Sequence, residues 1–144
     1  MTASVEQGSS IIPCLRYRDA HAAIGWLCKA FGFVRHAVHE NDQGRLEHAQ
    51  LIWGNGMVML GEVRDDDFGR HIAQPEEIGG RETQCPCVIV ADCKAHYRQA
   101  VAAGATIVDD YSEMDYGGAG YSCRDPEGHL WYFGSYDPWQ PAKP

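Results

Sequence analysis

Apolar and polar positions along the chain fall into two rounds of one pattern. The first round is "IPCLRYRDAHAAIGWLCKAFGF", from Ile12, in which Ile24, Leu27, Cys28 and Phe31 recur at i, i+3, i+4 and i+7. That spacing predicts a helix with one apolar stripe. Asp19 stands where a side-chain oxygen can accept a first-turn N–H, and Gly32 stands where the helix closes. "FVRHAVHE", "LEHAQLIWG" and "GMVMLGE" then read as strands, separated by Asn41-Asp42-Gln43-Gly44 and Gly54-Asn55-Gly56.

The second round is "CPCVIVADCKAHYRQAVAAGAT", from Cys85. Pro13, Cys14, Asp19 and Ala22 match Pro86, Cys87, Asp92 and Ala95 at one offset (86 − 13 and 92 − 19 both give 73). Here the expected stripe is Cys93, Tyr97, Ala100 and Val101, closed by Gly104. The strands "ATIVDDY", "GYSCR" and "HLWYFGSY" follow, with Gly117-Gly118 and Asp125-Pro126-Glu127-Gly128 as turns.

Such a chain is α+β: two βαβββ modules over 11–62 and 85–137. The polar stretch 63–84 is a linker or lid, 1–10 a disordered N-terminal tail and 138–144 a C-terminal tail. Each helix covers one face of its small sheet and leaves the other open. Together the modules are expected to make a curved mixed sheet with a ligand cleft on that open face.

Composition narrows the function. The 144 residues are 44% hydrophobic, enough for a core, and contain no long apolar run of membrane-spanning length. The polar start "MTASVEQGSS" lacks an apolar signal region, so a cytoplasmic location is the expectation. A net charge of −8 argues against a nucleic-acid partner. Asp65-Asp66-Asp67 and Asp109-Asp110 are read as solvated loops. The six cysteines are expected to be reduced thiols, and Cys85-Pro86-Cys87 is read as splitting its thiols between two strand faces.

The modules, with "RYRDAHAAIGWLCKAFGF", "HAQLIWGNGMVML" and "RDPEGHLWYFGSY", resemble the vicinal oxygen chelate superfamily over about residues 10 to 137. This is the group of glyoxalases, bleomycin-resistance proteins and extradiol dioxygenases. The resemblance implies paired βαβββ modules, often in a homodimer, and a site inside a U-shaped sheet. It also implies one divalent metal ion held by His, Gln or Glu from the first and last strands of each module. Those positions land on Ile12, near Met59, on Pro86 and on Tyr132, a set that cannot supply the usual ligands. No divalent metal is therefore expected, and the bleomycin-resistance-like branch is the better analogy.

Strand alternation selects the candidates. Ile12, Cys14 and Arg16 are expected on the cleft face, with Ile11, Pro13 and Leu15 in the core. His48 and Gln50 share one face with Ile52. Met57 and Met59 suit a loosely specified apolar site. Tyr132 faces the cleft while Trp131 and Phe133 face the helices; Tyr116, Tyr121 and Trp139 could extend an aromatic wall with it. Arg16 offers a fork for a carboxylate or phosphate. His129, after the turn, is expected to be exposed.

The primary expectation is a metal-free small-molecule binder, of a kind that could protect against a toxin or antibiotic, through Cys14, Arg16, His48, Gln50, Met57, Met59, Tyr121 and Tyr132. The alternative is a glyoxalase-like lyase, isomerase or dioxygenase using unusual metal ligands such as His48 and Glu62, or His48 as a base. A third is a dimerising interaction module with an occluded cleft.

Overall fold

A computed structural model describes residues 7–141. Strands β1 (Cys14–Tyr17), β2 (Val34–Glu40), β3 (Leu46–Trp53) and β4 (Gly56–Glu62) form one sheet in the order β1-β4-β3-β2. Strands β5 (Cys87–Ile89), β6 (Thr106–Glu113), β7 (Ala119–Arg124) and β8 (Leu130–Gly134) form a second, ordered β5-β8-β7-β6. In each, the first strand pairs parallel with the last and the other pairs are antiparallel. Cys14 sits opposite Met59 and Cys87 opposite Tyr132, so the 73-residue repeat survives in the ladder register (87 − 14 and 132 − 59).

Helices α1 (Ala20–Phe31) and α2 (Cys93–Ala102) link the first two strands of each sheet. Both start as the sequence predicts. The Asp19 carboxylate accepts from Ala22 N at 3.1 Å and Asp92 from Ala95 N at 3.0 Å. Gly32, at φ 85°, closes α1 in the left-handed region that favours glycine.

α1 buries Ile24, Leu27 and Phe31 as expected. α2 is rotated from its expected stripe: Cys93, His96 and Ala100 are buried, whereas Val101 is 45% exposed. The reason is polar satisfaction. His96 Nε2 lies 2.8 Å from the Phe31 carbonyl oxygen and Nδ1 lies 2.6 Å from the Tyr121 hydroxyl. A histidine with both nitrogens bonded can be buried at little cost.

The two modules share one core. The Phe31 ring lies 4.5 Å from Phe133 and 5.4 Å from Trp131, both fully buried. Burying each such ring stabilises the fold by about 1.5–3 kcal/mol. Trp26 Nε1 donates to Ala103 O and Trp53 Nε1 to Ile89 O, at 2.8 and 2.9 Å.

Asp125 ties the seam. Its Oδ2 accepts from the Tyr17 hydroxyl at 2.6 Å and from Trp131 Nε1 at 3.0 Å. Its Oδ1 accepts the backbone N–H groups of Glu127 and His129 at 3.0 Å each. The neighbouring Glu127 carboxylate reaches the other module, accepting from Arg18 N and Asp19 N just before α1.

Several expectations need correction. His129 is buried, because its Nε2 bonds the Arg16 carbonyl oxygen at 2.7 Å and Nδ1 lies 3.5 Å from Glu82. Asp109 and Asp110 belong to β6, not a loop. Ile11 is 83% exposed and Pro13 is exposed, since both precede the ladder. Residues 63–84 contain 3-10 turns at Gly69–His71 and Pro75–Ile78, and Gln74 Nε2 donates to Arg16 O at 2.9 Å. Of the expected tails, residues 1–6 and 142–144 lie outside the described residues. Among the described residues, no helix is long and apolar enough to cross a membrane.

Candidate functional site

Each sheet turns one face to the helices and leaves the other open, and register assigns the side chains. Residues opposite one another in a ladder share a face. Ala49 and Leu51 are fully buried against α1, so His48, Gln50 and Ile52 take the open face of the first sheet. One row across that face is Cys14, Met59, Gln50 and Ala37. The next contains Arg16, Gly61 and the His39–His48 pair.

In the second sheet the corresponding row is Cys87, Tyr132, Ser122 and Asp109. Ser122 donates from Oγ to the Asp109 carboxylate at 2.7 Å.

Polar groups of the first sheet are already engaged. Gln50 Nε2 lies 3.0 Å from His48 Nε2, so the amide donates and the ring nitrogen accepts. The His39 ring stacks on His48 at 6.1 Å. Arg16 donates to the Glu62 carbonyl oxygen at 3.2 Å, and its guanidinium lies 5.8 Å from the Phe68 ring centroid. Of the two methionines, Met59 sits among the row just described, and Met57 pairs with Ile52 nearer the turn.

The second sheet carries an aromatic platform. Gly120 and Gly134 are ladder partners on the open face, and Tyr132 follows two residues before Gly134. A side chain at Gly120 would collide with the Tyr132 hydroxyl, and one at Gly134 would come within 3.1 Å of the ring. Tyr132 therefore lies over these two glycines. Burial, and after it the neighbouring Tyr116 hydroxyl, raises its pKa to about 12. The phenol is a neutral hydrogen-bonding group at physiological pH.

Tyr121 does not join this wall. It is 1% exposed, sits opposite Phe133 on the helix-facing side, and donates to His96 Nδ1. The D-P-E-G turn, closed by Asp125 N to His129 O at 3.0 Å, pairs Arg124 with Leu130 and hence Ser122 with Tyr132. Working outward from that turn would have separated Tyr121 from Tyr132 by sequence alone.

The pairing of His48 with Glu62 in a metal site also fails. Glu62 shares the core side of β4 with Val58 and Leu60, accepts from Leu46 N at 3.1 Å, and pairs with Arg45 at 2.8 Å. His48 is on the opposite face. Pro86, likewise, is not a cleft position; Cys87 occupies the ladder place opposite Tyr132. The expected splitting of Cys85 and Cys87 between two faces of one strand does not apply, because β5 begins at Cys87 and Cys85 precedes it, with its Sγ 3.5 Å from the Leu130 carbonyl oxygen.

Along the seam between the modules runs a cavity of about 540 Å³. Met57, Trp53, Phe33, Cys87 and Ile89 line it, and Trp139, 87% exposed, stands at its side. It takes in Met57 but not His48, Gln50 or Tyr132.

The model of the Glyoxalase/Bleomycin resistance protein/Dioxygenase superfamily matches residues 10–133. The chain belongs to this superfamily. The superfamily fold recurs in TioX from Micromonospora sp. ML1, to which the chain is 32% identical, with a TM-score of 0.67 over 88% of this chain and 98% of that one. A fosfomycin resistance protein, FosX, from Listeria monocytogenes is 13% identical, with a TM-score of 0.66 over 91% of each chain, and shows the fold alone. An uncharacterised protein of Mycobacterium bovis is 31% identical over 134 residues, 93% of this chain and 86% of its own length.

The divalent ion associated with the superfamily does not fit the side chains present. The ladder places Cys14 and Met59 together in one sheet and Cys87 and Tyr132 together in the other. Among the described residues, no three His, Cys, Asp or Glu side chains come together to hold a metal ion.

Proposed function

We propose that the protein binds a small planar molecule on its open sheet faces, without the divalent metal ion of its metalloenzyme relatives, and acts as a homodimer in the cytoplasm. The observation that carries this is Tyr132. It occupies the last-strand position and lies over Gly120 and Gly134, which presents an aromatic surface where a carboxylate would serve a metal. Met57, Met59 and Gln50 add adaptable apolar contacts and one amide on the other sheet.

Membership of a superfamily that includes bleomycin resistance proteins makes protection against a toxic compound the favoured role. A partner copy would supply a facing sheet, since the open faces carry exposed Cys14 and Val34 in the isolated chain. The net charge of −8 fits a small-molecule rather than a nucleic-acid partner.

The test is a thermal-shift screen of small aromatic compounds on chelator-treated protein, with light scattering for mass. Saturable stabilisation in wild type, lost in Tyr132→Ala, is the expected result. Stoichiometric divalent metal needed for that stabilisation would overturn the metal-free reading.

A further inference from the structure

At Gly61 the open face of the first sheet carries no side chain. In its row Arg16 stands to one side and the His39–His48 pair to the other. A Cβ at Gly61 would lie 3.6 Å from both Cδ and Nε of Arg16, so the Arg16 side chain extends across the glycine on the open face. The same Cβ would lie 3.4 Å from the Glu47 carbonyl oxygen, which accepts from Arg64 Nη2. Two guanidinium groups therefore approach one bare position of the sheet.

Arg16 is held from several sides. Its carbonyl oxygen accepts from Gln74 Nε2 at 2.9 Å and lies 2.7 Å from His129 Nε2, and both of those side chains are buried. Nη1 donates to the Glu62 carbonyl oxygen, and the Phe68 ring lies against the guanidinium. Arg16 and Arg64 are both half-buried, and each gives one hydrogen bond, to a backbone carbonyl. Neither makes an ion pair among the described residues, in a chain with 20 acidic and 12 basic residues. Carboxylates near them in sequence are engaged elsewhere: Glu62 with Arg45, Asp65 and Asp67 with Arg70, and Asp66 with the Gly69 N–H. Charge withdrawn from water normally has a partner.

We propose that the molecule bound on the open faces is a planar organic acid whose carboxylate sits over Gly61 between Arg16 and Arg64. This rests on the planar-ligand reading and adds the anion to it. The guanidinium fork matches the two oxygens of a carboxylate. A larger residue at 61 would fill the seat.

The rest of the face suits the ring. From Gly61 the open-face positions of β4 run to Met59 and Met57, about 6.6 Å per step. Gln50 and Ile52 of β3 lie beside them. The face thus grades from cationic to apolar over about 13 Å, within which a two-ring acid fits. The net charge of −8 does not oppose such a ligand, because charges beyond about 8 Å are largely screened at physiological ionic strength.

Naphthoate and naphthamide share a ring system and differ in charge, which makes them the test pair. Titrated calorimetrically into the full chain at fixed ionic strength, the acid is expected to bind wild type at least about tenfold tighter than the amide, the value of one charge-assisted hydrogen bond. Arg16→Gln and Arg64→Gln should each lower the affinity of the acid at least about tenfold and that of the amide far less. Arg16→Lys keeps the stem over Gly61 and the charge but loses the fork, so it spares the fold and should still bind the acid more weakly than wild type. Inorganic phosphate reads the seat without a ring. It should stabilise wild type saturably in a thermal shift and fail to do so in the Arg16→Gln/Arg64→Gln double variant.

Equal affinity for acid and amide in wild type overturns the proposal and leaves the planar-ligand reading standing. A preference for the acid that survives in the double variant overturns it too. If neither naphthyl compound binds while phosphate stabilises wild type through both arginines, the planar reading falls and the anion seat stands. Failure of all three probes removes both.

Discussion

The hydroxyl of Tyr132 fills the space above Gly120 that any other residue's side chain would need. Its ladder partner, Gly134, gives the same room to the ring. Both glycines are buried in β strands, where glycine normally weakens the strand, so their presence is explained by what lies above them. Gly120→Ala is expected to push Tyr132 off its bed while leaving the fold intact. Affinity for a planar ligand should fall by about tenfold, roughly the value of one aromatic contact. The check is a double-mutant cycle: adding Tyr132→Ala to Gly120→Ala should cost little more than either change alone. Additive losses would mean that the two positions act separately.

Asp125 holds four donors from both modules, so its removal should be felt across the seam. Asp125→Ala strands the Tyr17 hydroxyl and Trp131 Nε1 without their acceptor in a buried setting. Each unsatisfied buried donor costs about 1–3 kcal/mol. A loss of about 3 kcal/mol or more in urea unfolding is expected, and Asp125→Asn should lose less because one oxygen remains. A loss below 1 kcal/mol for Asp125→Ala, by the same scale, would contradict the role given to this carboxylate.

Much of this was legible in the sequence because it depends on local rules. The repeat, Asp19 and Asp92 as caps, and the alternation of Trp131, Tyr132 and Phe133 follow from periodicity and side-chain chemistry. What escaped depends on contacts between modules. His96 lay outside the apolar stripe expected for α2, and only the arrival of Phe31 and Tyr121 from elsewhere in the chain makes its burial favourable. His129 is buried for the same reason, with the Arg16 carbonyl 113 residues away. Glu62 was misplaced because a lone carboxylate near a strand end reads as available, while Leu46 and Arg45 in fact claim it.

His48 gives the enzyme alternative a direct check. Its Nε2 accepts from Gln50, so it could serve as a base only after that hydrogen bond opens. Gln50→Ala would free this nitrogen, and a His48-dependent turnover should then rise. If a turnover is found that survives His48→Ala unchanged, it does not use this residue. Ligand binding measured by thermal shift should tolerate Gln50→Ala with a change of about 1 kcal/mol or less, the value of one neutral hydrogen bond.

His96 sets an expected acid limit to stability. Its Nε2 faces the Phe31 carbonyl oxygen, which can only accept, so Nε2 carries the proton and Nδ1 accepts from Tyr121. Protonation would place a second N–H against the Tyr121 hydroxyl and a charge in the shared core. Burial accordingly lowers its pKa below the usual imidazole value, with the Phe31 hydrogen bond opposing that shift. The unfolded chain takes up the proton first, near about pH 6.5. Between that pH and the lower folded-state value the unfolded state binds more protons, so stability falls as pH falls. The contribution is fully present above about pH 7.5. His96→Gln can donate to Phe31 and accept from Tyr121 without titrating. Urea unfolding of the two proteins at about pH 7.5 and about pH 5.5 should show a smaller pH-dependent loss for the variant. An identical loss in both would place the acid sensitivity at another group.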